Sequence, residues 1–185
     1  MWETIENYIA SWSQCAKFNI VRGRPYGRLK SYEPPNDVFQ VVHMDLWGPV
    51  RLYATGNRYV VVLTDSLSKY VIAKALPTNS AYDTASFLLK HFILAHGAPL
   101  QLITDQGVHF NNKLMLNLMQ LTGIKHDFST TYHRESDGQV ERFNATFCTQ
   151  LAKYYDENKN DWDMYLQPTI YAYNTSVHAT TGFAP

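Results

Sequence analysis

Three apolar runs crowd the stretch from residue 38 to residue 77: VFQVVHMDLWG, RYVVVLTDS and KYVIAKALP. Each is rich in β-branched residues, and Gly/Asn or Ser turns separate them, so they read as three short strands folded back on one another in an antiparallel meander. The pattern then changes period. SAYDTASFLLKHFILAHG sets Ala85, Leu88, Leu89, Phe92 and Ile93 on one helical face, with Gly97 closing the helix. PLQLITDQG is a fourth strand, NNKLMLNLMQLTG a helix and IKHDFST a fifth strand, and two helices follow, from about Gly138 to Asp156 and from about Trp162 to Asn174. A meander that feeds helical crossovers into further strands makes a mixed sheet covered by helices.

That element order makes the ribonuclease H-like fold, a five-stranded mixed sheet flanked by helices in the α/β class, the leading candidate. The segment before it differs in character. Trp2, Ile5, Ile9 and Trp12 fall at helical spacing. RGRPYGRLKSYEPPND then combines Gly, Pro and charge without periodicity, as a linker does. The chain is therefore expected to divide into residues 1–36, a helix with a basic linker, and residues 37–185, one globular body. The full chain carries 16 basic and 16 acidic residues. Residues 1–30 hold five of the basic and two of the acidic ones, so a segment of +3 precedes a body of −3. Cys15 and Cys148 are the two cysteines of the chain and form no disulfide framework. No apolar run is long enough for a bilayer, and the acidic start MWETIENYIASW is unlike a secretion signal. An intracellular, reducing compartment fits.

Three aspartates end apolar runs: Asp45 in VVHMDLWG, Asp65 in VVLTDSLSKY and Asp105 in QLITDQG. Ser66, Leu67 and Ser68 suit a tight hairpin, which weighs Asp65 toward structure. Ser136 and Gln139 form a capping box that starts a helix near Asp137. Val140, Phe143, Phe147, Leu151 and Tyr154 mark the buried face of that helix, and Glu141 stands at the border of the face. Taken singly, each carboxylate reads as a turn former or a solvated side chain.

Taken together, Asp45, Asp105 and Glu141, the last two separated by residues 106 to 140, match an Asp, Asp, Glu pattern. The flanks MDLWGPV, VVVLTDSLSKYV, LITDQGVHF, YHRESDGQVERFN and YNTSVHATTGFAP closely resemble retroviral-type integrases, above all those of Gypsy-type long-terminal-repeat retrotransposons, over roughly residues 36 to 185. The resemblance implies that the first and fourth strands lie side by side, so that Asp45 and Asp105 converge and the helix bearing Glu141 closes the site. Two like charges at about 4 Å repel by about 4 kcal/mol at an effective dielectric near 20, so the triad calls for a cation. Hard oxygen ligands favour two Mg²⁺ or Mn²⁺ ions, which can serve an in-line phosphoryl displacement.

The implied activity is that of a DNA integrase, a polynucleotidyl transferase with endonuclease activity that performs 3′-end processing and strand transfer. The implied partners are double-stranded DNA, as element ends and target, and further copies of the chain; no membrane is implied. The implied location is the nucleus, with a cytoplasmic stage.

This sequence departs from the family pattern in places. Relatives commonly read Tyr-His-Pro-Gln before the glutamate, whereas Tyr132 and His133 are followed here by Arg134 and Glu135. Losing the proline loosens that loop. The resemblance places Tyr132, His133, Arg134 and Asn144 against DNA, while Ala145 occupies a position often basic in relatives. His109, His126 and His133 lack zinc-ligand spacing and read as surface or loop histidines. Residues 1–36 resemble a degenerate form of the relatives' zinc module: Trp12 stands where the first cysteine of the pair with Cys15 belongs, so no structural zinc is expected. Relatives also continue beyond the position of Pro185, so the chain is read as a fragment or a decayed copy. The alternatives are a domesticated remnant that binds DNA or protein without catalysis, and a ribonuclease H-type hydrolase that lacks these flanks.

Overall fold

The structure is a computed structural model and describes residues 35–49, 56–129 and 162–185, all in the compact unit that runs from Pro34 to Pro185. The expected helices before residue 37 and between residues 138 and 156 lie outside the described residues. Five strands form one sheet: β1 (Val41–Trp47), β2 (Tyr59–Asp65), β3 (Val71–Leu76), β4 (Gln101–Thr104) and β5 (Lys125–Phe128). Their order across the sheet is β3-β2-β1-β4-β5. The first three pair antiparallel, as the close spacing of their apolar runs requires. β1–β4 and β4–β5 pair parallel, each through a helical crossover.

Helix α1 (Ala81–Phe87) continues through a π-helical stretch, Leu88–Ile93, into the short α2 (Leu94–His96). The Ser80 side chain caps α1 by accepting from the Asp83 N–H at 3.1 Å, and Gly97 ends the helical run. The expected buried face holds for Ala85, Leu88 and Phe92. Phe87, which the helical spacing left out, is buried as well. The i→i+5 hydrogen bonding of the π stretch changes the angular register of the helix, so its apolar stripe is wider than a uniform α-helix would show. Helix α3 (Lys113–Thr122) starts at Asn112, whose side chain accepts from the Met115 N–H, and stops at left-handed Gly123. Helix α4 (Trp162–Thr175) agrees with the expected final helix.

The sheet is covered on both faces. On one side Val42, Met44, Val61, Leu63 and Leu102 meet Phe87, Leu88 and Phe92 of the α1–π run, together with Phe110, Met115 and Met119. On the other, Val60, Val62, Val71 and Ala73 pack against Trp162, Leu166 and Ile170 of α4. Double coverage explains why β2 lacks the polar alternation of a one-sided strand and is buried from Val60 onward. Two amide side chains of α4 also bond the outer edge of β3. Asn174 accepts from the Val71 N–H at 3.0 Å and donates to the Val71 carbonyl at 2.8 Å, and Gln167 donates to the Ala73 carbonyl at 2.8 Å.

Asp65 closes β2 and has no exposed surface. Its Oδ1 accepts from the Phe39 N–H, and its Oδ2 from the N–H and hydroxyl of Ser68, at 2.7–2.8 Å. Phe39 and Lys69 both take left-handed backbone conformations, φ 62° and 71°, which non-glycine residues adopt only when their surroundings hold them there. The Asp65 carboxylate supplies that hold for the strap entering β1 and for the β2–β3 turn. The Lys69 side chain reaches the Ser66 carbonyl, and the Lys69 pKa is lowered by burial, an effect that the Asp65 charge opposes. Asp65→Asn keeps the shape but replaces an acceptor by a donor that faces N–H groups. It should destabilise the domain by about 3 kcal/mol while leaving the folded fraction catalytically competent. Urea denaturation paired with a DNA-joining assay checks both halves of that expectation.

Candidate active site

Strand β1 carries Val42 and Met44 into the core and turns His43, Asp45 and Trp47 to the opposite face. β4 runs beside it with Met44 opposite Thr104. Asp45 and Asp105 are the next residues in that register, and adjacent strands lie about 4.8 Å apart. The expected side-by-side placement of the first and fourth strands is therefore present, and it brings the backbones at Asp45 and Asp105 onto neighbouring strands. Asp65 lies three residue pairs away along the sheet, opposite Val42, with both oxygens occupied.

Each carboxylate of the pair is steadied by backbone. Asp45 Oδ1 accepts from the Leu46 N–H at 2.8 Å. Asp105 Oδ1 accepts from the Gly107 N–H at 2.9 Å. The Asp105 side chain is 54% exposed, so its charge keeps solvent contact. Asp45 does not end the first strand, as its apolar run suggested, because β1 runs on to Trp47 in register with β2; oxygen donors of this kind, one within β1 and one just after β4, fit a hard divalent cation. Among the described residues no group of three or more His, Cys, Asp or Glu side chains is gathered; the described part of the site is the Asp45–Asp105 pair. Glu141, Tyr132, His133, Arg134 and Asn144 lie outside the described residues.

Sequence reasoning set His109 aside as a surface or loop histidine. It does lie in the loop after β4, but its side chain is only 14% exposed, and Nε2 faces Asp105 Oδ1 at 3.7 Å. The signal that points to it is the i, i+4 spacing from Asp105 across Gly107. His126 is half-buried, with Nε2 2.9 Å from Thr104 Oγ1. Burial lowers its pKa, against the pull of Asp127.

A five-stranded mixed sheet in this order, with one aspartate within β1 and another directly after its parallel neighbour β4, defines the class: a ribonuclease H-like domain. Residues 35–134 match the integrase core domain family, and the chain belongs to that family. It is 33% identical over 153 residues to the Retrovirus-related Pol polyprotein from transposon 412 of Drosophila melanogaster, covering 83% of this chain and 12% of that protein. It is 27% identical over 181 residues to the human Gypsy retrotransposon integrase-like protein 1, covering 95% of this chain and 34% of that protein. Among solved structures, a chain of the simian T-cell lymphotropic virus intasome in complex with PP2A regulatory subunit B56 gamma shares the fold. The TM-score is 0.77 at 24% identity, covering all of this chain and 65% of that one. This chain thus spans about a third or less of these two relatives' length.

His43 sits two residues before Asp45, and its pKa is lowered to about 4 by burial and by the charge of Lys69, against the opposing pull of Asp65. The folded state holds the ring neutral where the unfolded chain takes up a proton near pH 6.5. Stability should therefore decline as pH falls from about 6.5 to 4, by up to about 3 kcal/mol. His43→Gln should flatten that stretch of the curve in thermal melts recorded across the same pH range.

Proposed function

We propose that this chain carries the catalytic core of a DNA integrase that breaks and rejoins phosphodiester bonds, with Asp45, Asp105 and Glu141 as the ligands of two divalent cations. The observation that carries the reading is the parallel register that makes Asp45 and Asp105 neighbours. Bound Mg²⁺ or Mn²⁺ would lower the pKa of the attacking oxygen and stabilise the departing one. The chain's own contribution is placement. The Leu46 and Gly107 N–H groups fix the rotation of the two carboxylates, so little reordering is needed when a phosphate arrives.

With water as nucleophile, the oxygen attacks phosphorus, the P–O3′ bond breaks, and the 3′-oxygen leaves with a proton, which is end processing. With the freed 3′-hydroxyl as nucleophile, its oxygen gives up its proton and attacks a target phosphorus, the target's own P–O3′ bond breaks, and the target 3′-oxygen leaves with a proton, so one new phosphodiester replaces the one broken. Neither step needs a covalent bond to the protein. Partners in this reading are double-stranded DNA, as element ends and target, and further copies of the chain. Tyr132, His133, Arg134 and Asn144 are assigned to DNA contact, and the site of action is the nucleus after a cytoplasmic stage. Among the described residues no helix is long and apolar enough to cross a membrane.

The test removes charge without removing volume. Asp45→Asn, Asp105→Asn and Glu141→Gln should each bring nicking and joining of labelled DNA below detection at an unchanged metal-free melting temperature. Mn²⁺ at about a hundred times its Kd should stabilise the wild type by about 2.7 kcal/mol. The triple variant should lose that gain. Activity retained in all three single variants would overturn the assignment of these carboxylates, whereas a folded wild type with no nicking or joining activity in Mn²⁺ would leave the domesticated DNA- or protein-binding remnant as the better reading.

A further inference from the structure

The loop after β4 is built more tightly than a turn requires. Phe110 is buried in the core, and the His109 ring packs edge-on against it at a centroid distance of 4.3 Å. The His109 carbonyl accepts from Thr84 Oγ1 of α1 and from the Asn112 side chain, both at 2.9 Å. The Gly107 carbonyl accepts from the N–H groups of Phe110 and Asn111 at 2.9 and 2.7 Å. These contacts fix where the imidazole stands. Its Nε2 is fully buried and has no hydrogen-bond partner among the described residues, yet it faces Asp105 Oδ1 at 3.7 Å.

Leaving a buried ring nitrogen unpaired costs about 1–3 kcal/mol, and the nearest group able to relieve that cost is a carboxylate. A side chain at position 107 would fill the intervening space. A Cβ there would stand 2.8 Å from His109 Nε2 and 2.9 Å from Asp105 Oδ1, closer than real Cβ contacts come. Gly107 therefore keeps the approach open while its own N–H holds the same Oδ1 from the backbone side.

We propose that His109 is a positioning residue for Asp105: its Nε2–H closes on Oδ1 and, with the Gly107 N–H, makes a two-donor cradle that turns Oδ2 toward the cation. The inference rests on the metal-binding reading of Asp105. Nε2 is not itself a ligand, because a nitrogen that donates its proton to Oδ1 has no lone pair to offer. In metal sites a partner of this kind, hydrogen-bonded to a ligand, changes affinity by about 10- to 100-fold. The arrangement also sets the tautomer, with the proton on Nε2 of the neutral ring.

Two measurements on the full chain at pH 8 test this. Without metal, long-range ¹H–¹⁵N spectra should show His109 as the Nε2–H tautomer, and Asp105→Asn should move the Nε2 resonance. In Mn²⁺ titrations followed by electron paramagnetic resonance, His109→Ala should weaken binding about tenfold. His109→Gln, which places an amide donor near the same point, should recover most of the loss, and Gly107→Ala should weaken binding as His109→Ala does. Metal-free melting temperatures separate these effects from loss of fold. An Nδ1–H tautomer overturns the proposal, as does unchanged Mn²⁺ affinity in a folded His109→Ala. Nitrogen hyperfine coupling to Mn²⁺ that disappears in His109→Ala makes the ring a ligand and also overturns it. A wild type whose Mn²⁺ affinity does not depend on Asp105 overturns the metal reading of the site, and the tautomer spectrum still decides the contact.

Discussion

Everything the site can do depends on the parallel pairing of β1 with β4. Asp45 and Asp105 are far apart in the chain and become neighbours only because Met44 and Thr104 stand opposite each other. A hairpin cannot produce that arrangement; a parallel neighbour needs a crossover. The crossover here is β2, β3 and the long α1–π–α2 run, and its apolar side chains double as the core beneath the pair. The same burial that fixes the register therefore sets the two aspartates on neighbouring strands. Asp105, just beyond the end of β4, is half exposed, so water screens its charge.

Asp65 ends β2 and Asp105 follows β4, whereas Asp45 lies within β1, where the strand runs on to Trp47, and the fold gives Asp65 and Asp105 different surroundings. Asp65 is buried, with both oxygens taken by donors from the strap before β1 and from the hairpin. An oxygen so engaged cannot turn to a ligand without leaving those N–H groups unpaired. Asp105 has one oxygen held by backbone and a side chain more than half open to solvent. Residue type and strand position are alike in the two; donor supply and solvent access separate them.

Local patterns made much of this fold legible. The meander, the Gly97 stop and the span of α4 all follow from periodicity and capping chemistry acting within a few residues. The adjacency of β1 and β4 does not, because no short-range signal encodes which distant strand a β1 edge will accept; the family likeness supplied it. The π stretch and the left-handed Phe39 and Lys69 were not legible, since each is imposed by contacts from elsewhere in the fold. His109 lies in a loop, as read, but its place beside Asp105 was not legible, because a search for zinc spacing asks which residues could share a metal. Its relation to Asp105 instead runs through the space that Gly107 leaves empty.

The amide groups that α4 sets against β3 have a consequence for self-association. A bare outer strand offers its peptide groups to any extended segment, including the same strand of another molecule, and such templating is a common origin of aggregates. Asn174 and Gln167 occupy those peptide groups at Val71 and Ala73, acting as a non-propagating substitute for a sixth strand. Growth of the sheet past β3 would first have to strip the helix away. Copies that assemble on this side of the domain must therefore meet through side-chain surfaces, whose geometry can specify a closed assembly of fixed size in place of an open-ended ribbon.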